Sequence, residues 1–441
     1  MSTASEKREN ASDLEKAFLV GVHWGYKGQE EAERSLCELR SLAETAGAIV
    51  LGSVLQTRSK PDPATLMGKG KLRELAHVMD EKQPDLMIFD QELTPSQQRN
   101  LTNELQVPVL DRTALILDIF AQHAHSKEGK AQVEMAQLRY TLTRLSGRGS
   151  DLSRLGGGIG TRGPGETKLE VDRRMINARL KTLDKELKNL TRVRRTKRKR
   201  RDRLSVPNFA LVGYTNAGKS SLLNALTDAH VLVENQLFST LDPITRRVEL
   251  PGNRRAVITD TVGFINHLPH QLVEAFKSTL EEVVYADVLL HVVDASSSDI
   301  KGKMNAVEEV LDEIGAGEIN TFYILNKIDL LTDEDRRAIV RDMPDCTLTS
   351  TLSGVGLAEL KSKMSAGLAS RQTLYIFLPH GRGDLLSLLY QRGQVLSRHT
   401  HDDGFLLAVE IPENLRDRLE EYVVDQSRIS LEAGTGEPYS E

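Results

Sequence analysis

Short apolar runs recur along the first quarter of the chain, and stretches with apolar positions every three or four residues separate them. The runs Phe18–Val22, Ala48–Leu51, Leu86–Phe89 and Val107–Leu110 predict strands, while Glu30–Ala46 and Lys69–Asp80 predict helices between them. Thr94 followed by Pro95 predicts a further helix start, with threonine as N-cap and proline at the first helical position. Strands alternating with helices predict an α/β unit with a mainly parallel sheet. Met67-Gly68-Lys69-Gly70-Lys71 lacks the full phosphate-loop consensus and reads as a tight turn before a helix, with a second nucleotide site as the alternative.

The period then changes. Met135, Leu138, Leu142 and Leu145 are spaced 3, 4, 3, and Ile176, Leu180, Leu183, Leu187 and Leu190 are spaced 4, 3, 4, 3. Both are heptad seams. They predict an antiparallel helical pair closed by the loop Gly156–Gly165, which holds six glycines. With Arg148, Arg154 and Arg162 this makes a cationic tip on a stiff stalk. Such a tip suits a crowded anionic site, where glycine backbone approaches closely and arginine pairs with phosphate or stacks on bases. A plain flexible linker is the other reading.

Further along, Phe209–Val212, Ala256–Thr259 and Thr321–Leu325 predict strands, and Ser221–Leu226 a helix. A last small α+β unit is predicted from strand Thr373–Leu378, helix Gly383–Gln391, strand Phe405–Ile411 and helix Glu413–Tyr422. The expected divisions are a disordered tail 1–14, an α/β subdomain 15–126, the hairpin 127–204, a nucleotide domain 205–369, an α+β domain 370–425 and a disordered tail 426–441.

Composition narrows the class. Charged residues make up 27% of the chain and no apolar stretch reaches membrane-span length, which points to a soluble globular protein. The opening residues carry acids and no apolar core, so neither a secretory signal nor a transit peptide is expected. Cys37 and Cys346 have no metal-ligand spacing and imply no disulfide framework, which makes a cytoplasmic setting, with at most weak peripheral membrane association, the expectation. Net charge is −5, yet residues 148–203 hold 19 Lys/Arg against 7 Asp/Glu. That local excess on an otherwise acidic chain points to a polyanionic partner, with a solvated helix face as the bland reading. The run Arg192–Arg203 is either a phosphate contact or a solubilising linker.

The chemistry lies after the hairpin. Gly213-Tyr214-Thr215-Asn216-Ala217-Gly218-Lys219-Ser220 is a complete GxxxxGK[ST] loop between a predicted strand and a predicted helix. The glycines let the backbone fold around phosphate oxygens, Lys219 reaches the terminal phosphates, and Ser220 offers a hydroxyl to Mg²⁺. Asp260-Thr261-Val262-Gly263 follows a β-rich run, which puts a carboxylate beside the Mg²⁺ hydration shell and a glycine N–H at the γ-phosphate. Thr240, within Phe238-Ser239-Thr240-Leu241-Asp242, is the candidate switch threonine and second Mg²⁺ contact. Asn326-Lys327-Ile328-Asp329 reads guanine: Asp329, as a buried acceptor, takes two hydrogen bonds from a donor pair that adenine lacks. Ser350-Thr351-Leu352 fits the last base-contacting loop. Together these predict a GTP-binding domain. Phe264 stands where many small GTPases carry the water-orienting glutamine, so the isolated domain should hydrolyse GTP slowly and the catalytic group is unassigned.

These motifs resemble the HflX family of translation-associated GTPases. Leu110–Thr113, Ile116–Phe120, Gly156–Gly160 and Arg162–Thr167 resemble it outside the nucleotide domain, and the likeness covers roughly residues 16–370. The resemblance implies a Ras-like P-loop domain preceded by an α/β subdomain and a helical hairpin, with a small C-terminal domain. It also implies binding at the ribosome, chiefly the large subunit and its RNA; a monomer is the expectation. There it would couple GTP binding and hydrolysis to the splitting of stalled or idle ribosomes. Phe264 fits that family's lack of the glutamine. Two other functions remain open: a ribosome-assembly or RNA-modification GTPase, and a GTP-switched binding module for a protein or membrane partner.

Overall fold

The structure of the protein, a computed structural model, describes residues 14–24, 28–145, 168–203, 206–227, 237–238, 240–252, 254–266, 280–369, 372–411 and 415–424. Most of both expected tails, the tip Gly156–Gly165 with Arg148, Arg154 and Arg162, and Ser239 lie outside the described residues. The chain divides into two compact units, one drawn from residues 1–192, 234–242 and 267–276, the other from 193–233, 243–266 and 277–441.

In the first unit, β1 (Lys16–Trp24), β2 (Ile49–Arg58), β3 (Leu86–Phe89) and β4 (Val109–Asp111) pair in parallel in the order β2-β1-β3-β4. Helices α1 (Gln29–Thr45), α2 (Lys69–Lys82) and α3 (Pro95–Leu105) connect them. The apolar runs are buried because the sheet is covered: Val20, Met87 and Phe89 are fully enclosed and pack with Leu75 and Leu101. Thr94 and Gln97 form a reciprocal capping box that starts α3 at Pro95, as its sequence predicts. Gly68 is the N-cap of α2 and its N–H donates to Gln56 Oε1 at 3.0 Å, so Met67-Gly68 leads into the helix and Lys69–Lys71 form its first turn.

Three elements differ from expectation. Strand β2 runs on to Arg58, well past Leu51, because as an edge strand it tolerates Ser53, Gln56 and Thr57. Strand β4 begins at Val109 rather than Val107. Helix α4 (Arg112–His123) was not anticipated; eight of its residues are buried, and a helix buried around its circumference shows no amphipathic period. The Asp111 carboxylate starts α4 by accepting from Ala114 N at 2.9 Å.

Helices α5 (Lys127–Leu145) and α6 (Lys168–Arg203) form the hairpin. Ala131, Met135 and Leu183 are its buried seam, with Leu138, Leu180 and Leu187 packed alongside. Arg144 and Tyr140 of α5 reach back to Asp111 at 2.6 and 2.8 Å, tying the stalk to the sheet. The basic run Arg192–Arg203 continues α6 as helix.

The second unit holds a six-stranded sheet, order β10-β9-β8-β5-β7-β6, from β5 (Asn208–Val212), β6 (Ile244–Leu250), β7 (Arg254–Asp260), β8 (Val288–Asp294), β9 (Thr321–Asn326) and β10 (Thr347–Leu348). Only β6 runs antiparallel to its neighbour. Helix α7 (Lys219–Leu226) follows β5, and α8 (Ile300–Glu313), α9 (Asp333–Asp342) and α10 (Leu357–Ala369) follow later strands. The C-terminal segment is an antiparallel sheet β11-β13-β12, from β11 (Gln372–Pro379), β12 (Gln394–His401) and β13 (Gly404–Ile411), with α11 (Gly383–Arg392) and a short α12 (Arg416–Leu419). Strand β12 was missed because its alternation is mostly polar at a sheet edge. Within the expected helix Glu413–Tyr422, the described residues form the short α12 and a 3-10 turn at Glu420–Tyr422.

Leu183 is 1% exposed at the centre of the hairpin seam. Leu183→Ala is expected to cost about 2–5 kcal/mol, whereas Met175→Ala, at a position 58% exposed, should cost under about 0.5 kcal/mol. Urea midpoints of the two variants check this.

Candidate functional site

At the carboxyl end of β5 the chain must turn sharply into α7, and two glycines make the turn possible. Gly213 has φ 149°, and any Cβ there would strike the carbonyl oxygen of Val292. Gly218 has φ 94°, and a Cβ there would strike the Asn326 amide. Lys219, a buried residue, lies back along the loop with Nζ donating to Gly213 O at 3.0 Å and Tyr214 O at 2.9 Å.

Three distant segments converge on this loop. From the end of β7, Asp260 Oδ2 accepts from the Ser220 hydroxyl at 2.6 Å, both residues being buried. The Thr261 hydroxyl donates to Leu211 O at 2.6 Å. Beyond it the backbone pairs with the loop: Phe264 N donates to Gly213 O at 3.1 Å, and Thr215 N donates to Phe264 O at 2.8 Å. The Tyr214 hydroxyl accepts from Asn266 N at 2.8 Å. Gly263 lies so close that a Cβ would meet Thr215 Cγ2 at 2.9 Å and Lys219 Nζ at 3.1 Å. The Phe264 side chain is buried, so it is a core residue rather than a solvent-facing one.

The other two segments follow β9 and β10. Asn326 Nδ2 donates to Ala217 O at 3.1 Å, and its Oδ1 accepts from Thr351 N at 3.2 Å. The Ser350 hydroxyl donates to Asp329 Oδ1 at 2.5 Å and so orients that carboxylate. Val262 and Ile328 are buried supports, whereas Leu352 is 86% exposed. One expectation needs correcting: Asp329 is exposed, not buried. Only Ile328 of the 3-10 turn Ile328–Leu330 points inward, which leaves the carboxylate on the rim. Sequence reasoning also missed Asp294, at the end of β8, which accepts from Lys327 Nζ at 2.7 Å. Its signal was an apolar strand ending in an acid, Val288–Asp294. His291 on the same strand is held neutral, its pKa pushed down to about 4 by burial and by the Lys219 charge.

The structure therefore brings together Gly213–Ser220, Asp260–Gly263, Asn326–Asp329 and Ser350–Leu352. Phe238, Thr240, Leu241 and Asp242 are described within the other unit.

The residues present fit a Mg²⁺–polyphosphate ligand. Ser220 and Asp260 supply adjoining hard oxygens of the kind Mg²⁺ prefers. The buried Thr215 hydroxyl has no hydrogen-bond partner among the described residues, and it lies beside Gly263 and Lys219. Burial pushes Lys219 down to about 8, the Asp260 charge only partly offsetting it. A bound polyphosphate would raise that value again. Below about pH 8 binding then exchanges no proton at Lys219; above it, binding requires proton uptake. GDP affinity is expected to be level up to about pH 8 and then to fall, towards about tenfold per pH unit. Calorimetry at pH 8.5 in two buffers of different ionisation enthalpy should show the proton uptake.

Comparison with known proteins gives the same assignment over most of the chain. Residues 33–121 match the family described as GTP-binding GTPase N-terminal, and residues 123–201 the GTP-binding GTPase middle region. Residues 208–327 match the family described as 50S ribosome-binding GTPase. GTPase HflX of Caldanaerobacter subterraneus subsp. tengcongensis is 46% identical over 421 residues, covering 94% of this chain and 95% of that protein. GTPase HflX of Escherichia coli is 41% identical over 403 residues, covering 90% and 94%. A solved GTP-binding protein from Sulfolobus solfataricus in complex with GDP is 26% identical, covers 80% of this chain and 98% of its own, and has a TM-score of 0.43. With identity at this level across nearly its full length, and with the phosphate loop intact, this chain belongs to the HflX family of GTPases.

Proposed function

We propose that this GTPase acts on the ribosome, docking on the large subunit and coupling GTP binding and hydrolysis to the splitting of stalled or idle ribosomes. The observation that carries this reading is a nucleotide site and a hairpin stalk in one chain, with the stalk's second helix running into a dense basic end at Arg203. The relatives' family description, 50S ribosome-binding GTPase, supports the partner. The domain boundaries of this scheme are 15–126, 127–204, 205–369 and 370–425.

In the proposed site, Gly213–Ser220 cradles the phosphates and Lys219 turns from its own loop carbonyls to the terminal phosphates. Ser220, with Asp260 behind it, would hold Mg²⁺, as would Thr240, and the ion would neutralise phosphate charge. The Gly263 N–H meets the γ-phosphate. Asn326 braces the phosphate loop, Lys327 is steadied by Asp294, and Asp329 reads guanine with its carboxylate aligned by Ser350. Ser350–Leu352 closes over the base. Phe264 is buried and cannot orient water, so the hydrolytic geometry is completed from outside, by the ribosome. Arg148, Arg154 and Arg162 on the hairpin tip contact ribosomal RNA, a cytoplasmic target.

Asp329→Asn is expected to exchange guanine for xanthine preference, since the amide presents a donor where the carboxylate accepted two hydrogen bonds. Competition of GTP and XTP for the variant measures this, and retained GTP preference would overturn the base assignment.

GTP turnover with and without purified large subunits, at one fixed salt concentration, tests the ribosomal reading. Stimulation of at least about a hundredfold is expected, the scale of a completed hydrolytic site. Removing Gly156–Gly165 should abolish splitting and leave GTP affinity intact. Absence of stimulation, with tight GTP binding, would count against the ribosome as activator.

A further inference from the structure

Helix α5 begins against a carboxylate that comes from more than a hundred residues further along the chain. Asp242 Oδ2 accepts from Ser126 N at 2.7 Å and His125 N at 3.2 Å, and Asp242 Oδ1 accepts from the Ser126 hydroxyl. That hydroxyl accepts in turn from Gly129 N at 2.8 Å. Gly129 is shaped to the contact, because a Cβ there would collide with Asp242 Oδ1. The carboxylate therefore sits at the positive end of the hairpin's first helix, where a negative charge is favoured.

A second anchor lies four residues earlier. Phe238 is 2% exposed and packs edge-to-face on Phe120, in the last turn of α4, with ring centroids 4.6 Å apart. Its φ of 57° is uncommon for a bulky side chain, and such a conformation persists where the surroundings hold it. Leu241 is 2% exposed as well. Thr240 thus lies between two fixed points on the same unit. Phe238 and Asp242 stand two residues to either side of Thr240, so its hydroxyl cannot shift far unless an anchor lets go or moves with it.

We infer that Asp242 and Phe238 are positioning residues for Thr240, fastening the switch segment to the start of the hairpin so that GTP is sensed through α5. The inference rests on Thr240 serving Mg²⁺ only when a γ-phosphate is present. Two consequences follow from linkage. Pre-ordering of the segment favours GTP over GDP, and any displacement of α5 alters GTP affinity by the factor by which GTP alters the placement of α5.

The test uses the full-length chain without ribosomes, so its outcome is independent of the ribosomal reading. Dissociation constants for GDP and for a non-hydrolysable GTP analogue, both with Mg²⁺, are measured for Ser126→Ala, Asp242→Asn, their double variant, Phe238→Leu and Thr240→Ala. The ratio of analogue to GDP constants is expected to rise about fivefold in Ser126→Ala and in Asp242→Asn, the scale of a lost helix cap. The double variant should be no worse than the larger single, since both break one contact. Phe238→Leu should raise the ratio in the same direction. Equal weakening for both nucleotides would mark the contacts as structural only and overturn the inference. An unchanged or lowered ratio, with Thr240→Ala still raising it, would also overturn it. If Thr240→Ala leaves the ratio unchanged, the threonine assignment fails and takes the inference with it.

Discussion

The nucleotide site depends on how the carbonyl groups of the phosphate loop are occupied. A loop that presents N–H groups to an anion must satisfy its own acceptors elsewhere. Gly213 O accepts from Phe264 N and Lys219 Nζ, Tyr214 O from Lys219 Nζ, and Ala217 O from the Asn326 amide. Two of the fasteners come from segments about 50 and 110 residues downstream of the loop, so the motifs that read as separate signatures are one hydrogen-bonded object. The same constraint explains why β5, β7, β8 and β9 all end at this edge: each delivers its own piece at the carboxyl end of a strand, where parallel sheets place their ligands.

The first unit is organised by buried carboxylates rather than by apolar packing alone. Asp111 ends β4, caps α4, accepts from Leu93 N at 3.1 Å and holds Tyr140 and Arg144 of the hairpin. Next to it in sequence, Arg112 is 3% exposed and pairs with Asp90 at 2.9 Å and with Glu38. A charge so deeply placed is tolerated because it is paired, and removal of one partner would strand the other in a poor solvent. The stalk is thereby fixed to the sheet at its base.

What could be read from the sequence was whatever local chemistry controls. Thr94-Pro95 specifies a helix start, and Gly213 and Gly218 specify a turn, because the cause lies within a few residues of the effect. Parallel strands such as Leu86–Phe89 were legible as apolar runs, since both their faces are covered. Helix α4 was not, because complete burial erases the period that reveals a helix. Strand β12 was hidden by the polar residues an edge permits. In the site, the guanine-reading segment was recognisable, but the exposure of Asp329 and the pairing of Lys327 with Asp294 are tertiary facts with no local signature. The docking of Asp242 on Ser126 spans 116 residues and leaves nothing in the sequence except a glycine at position 129.

Burial of Phe264 has a consequence for how such an enzyme can change over time. The ring belongs to the protein interior, enclosed to 1% exposure, while its peptide group is bonded to the phosphate loop on both sides. A glutamine at this place would sink a carboxamide among apolar neighbours and give up aromatic packing, each at a cost of about 1–3 kcal/mol. A single exchange to glutamine at this position is therefore opposed by the fold. The position where a water-orienting group would have to stand is already committed to holding the fold.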